Sequence, residues 1–246
     1  MPFFDSAGVP IHYEVFGDGR PLVLVHGFAS SLQGNWVAPG WVETLRPVRR
    51  VVALDCRGHG ESGKPYDPAA YGNAMQDDVI LLMDHVGIEK ADLFGYSMGG
   101  RISIDLMLDH PQRFTSVVLG GVGRGRRLQR SGPAIAQGLL AEDPSTVTDE
   151  VAKDFRVFAE RTGNDLKALA ALRQGMRPRR DPSELARVTL PVLIVTGEQD
   201  TLVGSAEPLA KAIPGARLLT ITGRDHLTVV GDTRFKDAVV AFLNEA

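Results

Sequence analysis

Short apolar runs at residues 22–26, 51–55, 91–96, 116–121 and 192–197 recur along the chain with helical periodicity between them, and this rhythm limits the fold more than any other feature. Leu22-Val23-Leu24-Val25 and Val51-Val52-Ala53-Leu54 do not alternate with polar residues. A strand of that kind is covered on both faces, which belongs to a parallel sheet sandwiched by helices. Strand-like segments at 11–16 and 217–221 extend the series. Helical spacing occurs at 36–45, 72–86, 98–110, 206–213 and 235–243. Within 72–86, Met75, Val79, Leu82, Met83 and Val86 make one stripe, with Gln76, Asp77 and Asp84 on the other side. Pro111 stops the 98–110 helix near His110, because the residue before a proline is pushed out of helical geometry.

Between 123 and 190 the strand runs vanish, and helical spacing appears at 148–161 and 165–176. The expected class is therefore α/β: a doubly wound, mostly parallel sheet core from 1–122 and 191–246, interrupted by a small helical cap at 123–190. With 246 residues such a core needs no metal or disulfide staple. There is no internal repeat.

The balance of charge narrows the partners. A net charge of -3 offers no long-range attraction for nucleic acid or an anionic membrane. No run approaches the roughly 18–20 apolar residues that span a bilayer. One cysteine, Cys56, cannot form an internal disulfide, and residues 1–5 lack the basic stretch and apolar core of a secretory signal, so a cytoplasmic location is expected. His12, His85 and His110 show no metal-ligand spacing, and no metal is expected. Nothing here sets an oligomeric state.

One motif carries chemistry. Gly95-Tyr96-Ser97-Met98-Gly99 lies between a strand end and a helix start, the context in which a serine is held on a sharp turn with its hydroxyl above the sheet edge. Glycines two residues either side of it let neighbouring backbone come close. A serine hydroxyl needs a base, and histidine titrates in the useful range. His226 sits in the loop Gly223-Arg224-Asp225-His226 after the last strand, on the edge where open parallel sheets gather their reactive groups. Asp200, ending the turn Gly197-Glu198-Gln199-Asp200 after another strand, is the expected orienting acid. Asp225 is a rival, but adjacent side chains rarely point at one another, and a local loop bond suits it better; Glu198 is weaker still. An oxyanion formed on an acyl carbon would meet two backbone amides, Met98 at the helix start and Phe28 in the loop after the strand at 22–26. No cofactor is implied.

Taken together, His26-Gly27-Phe28, Asp55-Cys56-Arg57-Gly58-His59-Gly60-Glu61-Ser62, the Ser97 turn with Gly100, the Asp200 turn and Gly223 to His226 resemble the α/β-hydrolase superfamily over nearly the whole chain. The set is most similar to small esterases, cofactor-free haloperoxidase or perhydrolase relatives, enol-lactonases and carbon-carbon bond hydrolases. The resemblance implies an eight-stranded, mostly parallel sheet with the cap inserted after the sixth strand. It allows a third acid position after the strand at 117–121, where Gly121, Val122 and Gly123 offer no carboxylate. Ser97 departs from dehalogenases and epoxide hydrolases, which use aspartate there, and Phe28 replaces the tryptophan common in haloperoxidase-like members. The implied reaction is hydrolysis of a small-molecule ester with a short or medium acyl group. Enol-lactone, carbon-carbon and perhydrolase chemistry are the alternatives within enzymes, and a small-molecule receptor that keeps the triad is the alternative outside them.

Other conspicuous residues carry plainer expectations. His59 is structural in this family's turn, and His26 braces the oxyanion loop. Trp36 and Trp41 are packing residues, and Cys56 is inert. Arg124, Arg126, Arg127 and Arg130 at one joint of the cap, with Arg177, Arg179 and Arg180 at the other, form solvated loop faces; the alternative is recruitment of an anionic substrate.

Overall fold

The computed structural model describes residues 2–125 and 127–245; Met1, Arg126 and Ala246 lie outside it. Eight strands form one sheet: β1 Phe3–Ser6, β2 Val9–Phe16, β3 Pro21–Val25, β4 Arg50–Leu54, β5 Ala91–Tyr96, β6 Phe114–Gly120, β7 Val192–Gly197 and β8 Arg217–Ile221. Their order is β1-β2-β4-β3-β5-β6-β7-β8. The β1/β2 and β2/β4 pairs are antiparallel and the rest parallel. The α-helices are α1 Trp41–Leu45, α2 Ala74–His85, α3 Met98–Asp109, α4 Arg127–Arg130, α5 Gly132–Leu140, α6 Glu150–Arg161, α7 Leu166–Gly175, α8 Glu207–Ala212 and α9 Thr233–Glu245, with short 3-10 and π turns between some of them.

The wholly apolar strands have a direct cause. Val23 and Val25 of β3, Val52 and Leu54 of β4, and Val192 and Ile194 of β7 pack on one sheet face with α2, α3 and α8. Their neighbours Leu22, Leu24, Val51, Ala53, Leu193 and Val195 pack on the other with α1 and α9. Period-2 alternation here sorts residues between two cores rather than between core and water.

Four local features differ from the sequence reading. Strand β1 was not expected; it pairs through a turn in which Ala7 (φ 52°) and Gly8 (φ 83°) are both left-handed, the geometry of a tight hairpin. The single helix expected at 36–45 is a π-turn at Gln33–Val37 and then α1, parted by Gly40 at φ 80°. Gln76, placed on the polar side of α2, is buried, as is Asp78. Asp78 is matched by Arg57, whose Nε and Nη2 donate to its two oxygens at 2.7 and 2.6 Å. Between β6 and β7 the expected helices are α6 and α7, capped by the Asp149 and Asp165 carboxylates on the Ala152 and Ala168 amides at 2.9 and 3.0 Å. They are joined by α4 and α5, which were not expected. This segment has its own apolar cluster, including Ile135, Leu139, Val151 and Leu169.

Trp36 and Trp41 are fully buried in an edge-to-face cluster with Phe94 and Phe235, as packing residues should be. Cys56 is buried, and burial pushes its thiol well up, which suits an inert role. Among the described residues no helix is long and apolar enough to cross a membrane.

Candidate active site

The turn from β5 into α3 places Ser97 at φ 54°, ψ -107°, a conformation that L-residues rarely adopt. Its amide donates to the Gly120 carbonyl at 2.8 Å, fixing the turn to the end of β6. The flanking glycines are sterically required. A Cβ on Gly99 would run into the Val25 carbonyl, and one on Gly95 into the Gly99 carbonyl oxygen and Ser103 Oγ.

His226 and Asp200 reach Ser97 from two other strand ends. The Ser97 hydroxyl lies 2.9 Å from His226 Nε2, and His226 Nδ1 lies 2.7 Å from Asp200 Oδ2. A carboxylate only accepts, so Nδ1 carries the proton and Nε2 is left to accept from the serine. The other Asp200 oxygen accepts from the Leu202 and Val203 amides at 3.1 and 3.2 Å, and its side chain is wholly buried, so it cannot swing away. Asp225 stays out of this chain. Its carboxylate accepts from Thr228 Oγ1 and from the Thr228 and Leu227 amides, contacts that hold it below the usual carboxylate range. Tyr96, which the sequence did not single out, donates its hydroxyl to the His226 carbonyl at 2.5 Å. Burial pushes Tyr96 well up, so it keeps that proton. Its place beside Ser97 in the turn was the one available signal.

Phe28 and Met98 line the cavity that contains Ser97, and among the described residues neither backbone amide donates to another group of the chain. The loop bearing Phe28 is braced throughout. Asn35 Oδ1 accepts from the Gly27 amide at 3.0 Å, and Asp55 Oδ1 from the Leu32 amide at 2.7 Å. His26 Nδ1 donates to the Gly27 carbonyl at 2.8 Å and its Nε2 accepts from the Cys56 amide at 2.9 Å. His59 Nε2 accepts from the Ala29 amide at 3.0 Å while its Nδ1 donates to the Arg57 carbonyl at 3.2 Å. Thr162 Oγ1 and Asn164 Nδ2, both after α6, donate to the Ala29 carbonyl at 2.9 Å each. Asn35, Thr162 and Asn164 carry no sequence pattern that would have pointed to them.

Both bracing histidines are fully buried and neutral. Burial, with His26 close by, pushes His59 down to about 3, and burial lowers His26. An unfolded histidine titrates near 6.5, so below that pH the unfolded chain takes up protons that the folded one refuses. Stability from this source is complete above pH 6.5 and falls by about 1.4 kcal/mol per pH unit for His59 as pH drops toward 3. Urea unfolding at pH 7.5, 6.0 and 5.0 should show this loss, with a shallower slope in His59→Gln, whose amide can still accept from Ala29. Equal slopes would exclude His59 as a source.

The arginines at the joints of the helical segment form solvated loop faces only in part. Arg124, Arg179 and Arg180 line the cavity that holds Ser97: Arg180 pairs with Asp105 of α3, while the Arg124 and Gly125 amides donate to the Ser205 and Val203 carbonyls. Arg127 and Arg130 remain exposed, and Arg126 lies outside the described residues. A second hollow also reaches Ser97, lined by His226, Leu227, Val157 and Phe158 among others.

The chain is similar to known proteins along most of its length. It is 34% identical over 232 residues to the dihydrolipoyllysine-residue acetyltransferase component of an acetoin cleaving system from Pseudomonas putida, covering 87% of this chain and 61% of that protein. The chain thus spans less than two thirds of that relative's own length. Among solved structures, a hydrolase from Pseudomonas aeruginosa PA01 matches with a TM-score of 0.83 at 28% identity, covering 98% of this chain and 97% of the other. The enol-lactonase from Burkholderia xenovorans LB400 matches at 0.79 and 26%, covering 99% and 100%. A family model matches residues 20–186, and with it the strand order and the serine turn have one common explanation: the chain belongs to the alpha/beta hydrolase fold family.

Proposed function

We propose that this protein is a serine hydrolase cleaving small-molecule esters with short or medium acyl groups. The observation that carries this reading is the hydrogen-bond chain from Ser97 through His226 to Asp200. In the first step Ser97 Oγ attacks the ester carbonyl and its proton passes to His226 Nε2. The Phe28 and Met98 amides hold the oxyanion, and Asp200 faces the imidazolium that forms. Collapse expels the alcohol, which takes the proton from His226, and leaves an acyl group on Ser97. Water, deprotonated by the same His226, then releases the acid. The helices between residues 123 and 190 act as the cap. A cytoplasmic location suits the single buried thiol.

An aryl-ester panel of increasing acyl length, with mass spectrometry after a serine-reactive fluorophosphonate, tests this. We expect turnover on the shorter esters and one adduct, on Ser97. Neither turnover nor adduct would sink the reading, and tight binding of a small ligand without turnover would favour a receptor. A second reading, enol-lactone hydrolysis, is favoured by the likeness to the enol-lactonase and uses the same acyl-enzyme. Carbon-carbon cleavage belongs in the same assay.

A further inference from the structure

The cavity that holds Ser97 has a cationic wall. Arg101, Arg124, Arg173, Arg179 and Arg180 line it against one carboxylate, Asp105. That carboxylate is engaged already. Arg180 Nε donates to Asp105 Oδ1 at 2.8 Å, and the other nitrogens of Arg180 meet Asp109 and Glu184.

Among the described residues, Arg101, Arg173 and Arg179 form no ion pair. Their protein partners are sparse and neutral. Arg101 Nη2 donates to the Arg177 carbonyl at 2.9 Å and Arg179 Nη1 to the Gly123 carbonyl at 3.2 Å. Arg173 Nη2 donates to the Leu128 carbonyl at 2.9 Å, and Nη1 reaches only the Met176 sulfur at 3.2 Å. Arg173 Nε is buried with no partner. A guanidinium has five N–H donors, so most of the capacity of this cluster is unspent on protein. Burial, with Arg101 and Arg179 beside it, pushes Arg173 down to about 10, and burial lowers Arg101 and Arg179 as well. Gathering desolvated like charges costs the fold, and an anion that arrives among them repays that cost. The planar fork of arginine matches a carboxylate with two parallel hydrogen bonds.

We propose that the molecule cleaved at Ser97 carries a carboxylate, held by Arg101, Arg173 and Arg179 while its scissile carbonyl meets the Phe28 and Met98 amides. The inference rests on Ser97 as the reacting group. Arg101 stands one turn into α3 from Ser97, its amide donating to the Ser97 carbonyl at 3.1 Å, so the anchor and the reacting atom share one rigid element. Arg173 and Arg179 come from α7 and the turn beyond it, so the segment between β6 and β7 supplies two thirds of the anchor. Val122, Ile135 and Phe155 make the remaining wall apolar, which suits a short carbon chain between carboxylate and carbonyl.

Binding is read first, because it does not depend on turnover. Calorimetric titration of glutarate and of its neutral diamide should show glutarate at least about tenfold tighter, in the native protein and in Ser97→Ala alike. Equal affinities, or a tighter diamide, would overturn the proposal. Arg101→Gln and Arg173→Gln should each bring that ratio down at least about fivefold, and Arg101→Lys should keep part of it because a point charge remains. A ratio unmoved in both glutamine variants also overturns it. The 4-nitrophenyl monoester of glutarate should then exceed 4-nitrophenyl valerate in kcat/KM by about tenfold or more. Preference for glutarate in titration with neither ester hydrolysed would remove Ser97 as the reacting group and leave the carboxylate site standing.

Discussion

Ser97→Ala and His226→Ala should each lower kcat on a 4-nitrophenyl ester by about 10⁴- to 10⁶-fold, and the double variant should fall no further than the worse single one. The reason is that the two side chains act as one device. The 2.9 Å contact between Ser97 Oγ and His226 Nε2 means that removing either leaves the other without a task. Activity above the uncatalysed rate should survive in all three variants, since the Phe28 and Met98 amides still meet the oxyanion of a water attack. Asp200→Asn should cost about 10⁴-fold, because an amide nitrogen facing Nδ1 favours the tautomer whose Nε2 cannot accept from serine. Initial rates at saturating ester, with circular dichroism to show that the fold is kept, check the series. Full turnover in Ser97→Ala would end the acyl-enzyme assignment, and additive losses would mean that Ser97 and His226 serve separate steps.

The second large effect is on stability. Gly99→Ala should cost more than about 4 kcal/mol, lowering Tm by about 10 °C or more, because the new methyl lands on the Val25 carbonyl, backbone that cannot yield without disturbing the centre of the sheet. Gly163→Ala is the control. Gly163 has a positive φ, 68°, which Gly99 lacks, and a Cβ there meets nothing within 4 Å, so only the backbone penalty of about 1 kcal/mol applies, or about 2–4 °C. Differential scanning calorimetry of both at one pH separates close approach from backbone conformation. Similar shifts would show that the turn around Ser97 has more room than the geometry allows.

The parallel strands could be read because burial on both faces makes them uniformly apolar, and this same uniformity places their ends, where Ser97, Asp200 and His226 lie. β1 was not legible: Phe3-Phe4-Asp5-Ser6 is short, and its hairpin turn uses Ala7 at φ 52° where asparagine or glycine would have announced it. Helix α5 was hidden by Gly132, Pro133 and Gly138, poor helix formers whose place is settled by packing against α6 and α7. The arginine cluster was half visible. Clusters at the joints could be counted, but Arg101 lies in a different stretch of the chain, and only the docking of the helical segment over α3 brings it beside Arg173 and Arg179. Gln76 shows the converse, a polar residue whose burial no periodicity would suggest.

The Ala29 carbonyl bears on how freely this protein could exchange parts with its relatives. It belongs to a wholly buried residue in the loop after β3, and among the described residues its donors, Thr162 and Asn164, come from the far end of α6. Transplanting residues 123–190 from another hydrolase would therefore import new specificity and at the same stroke strip a core peptide group of its partners, at about 1–3 kcal/mol. The segment is not an interchangeable module. A chimera that keeps Thr162 and Asn164 at their places should tolerate such grafting better than one that swaps the whole stretch, because the boundary between scaffold and accessory runs through α6's end rather than around it.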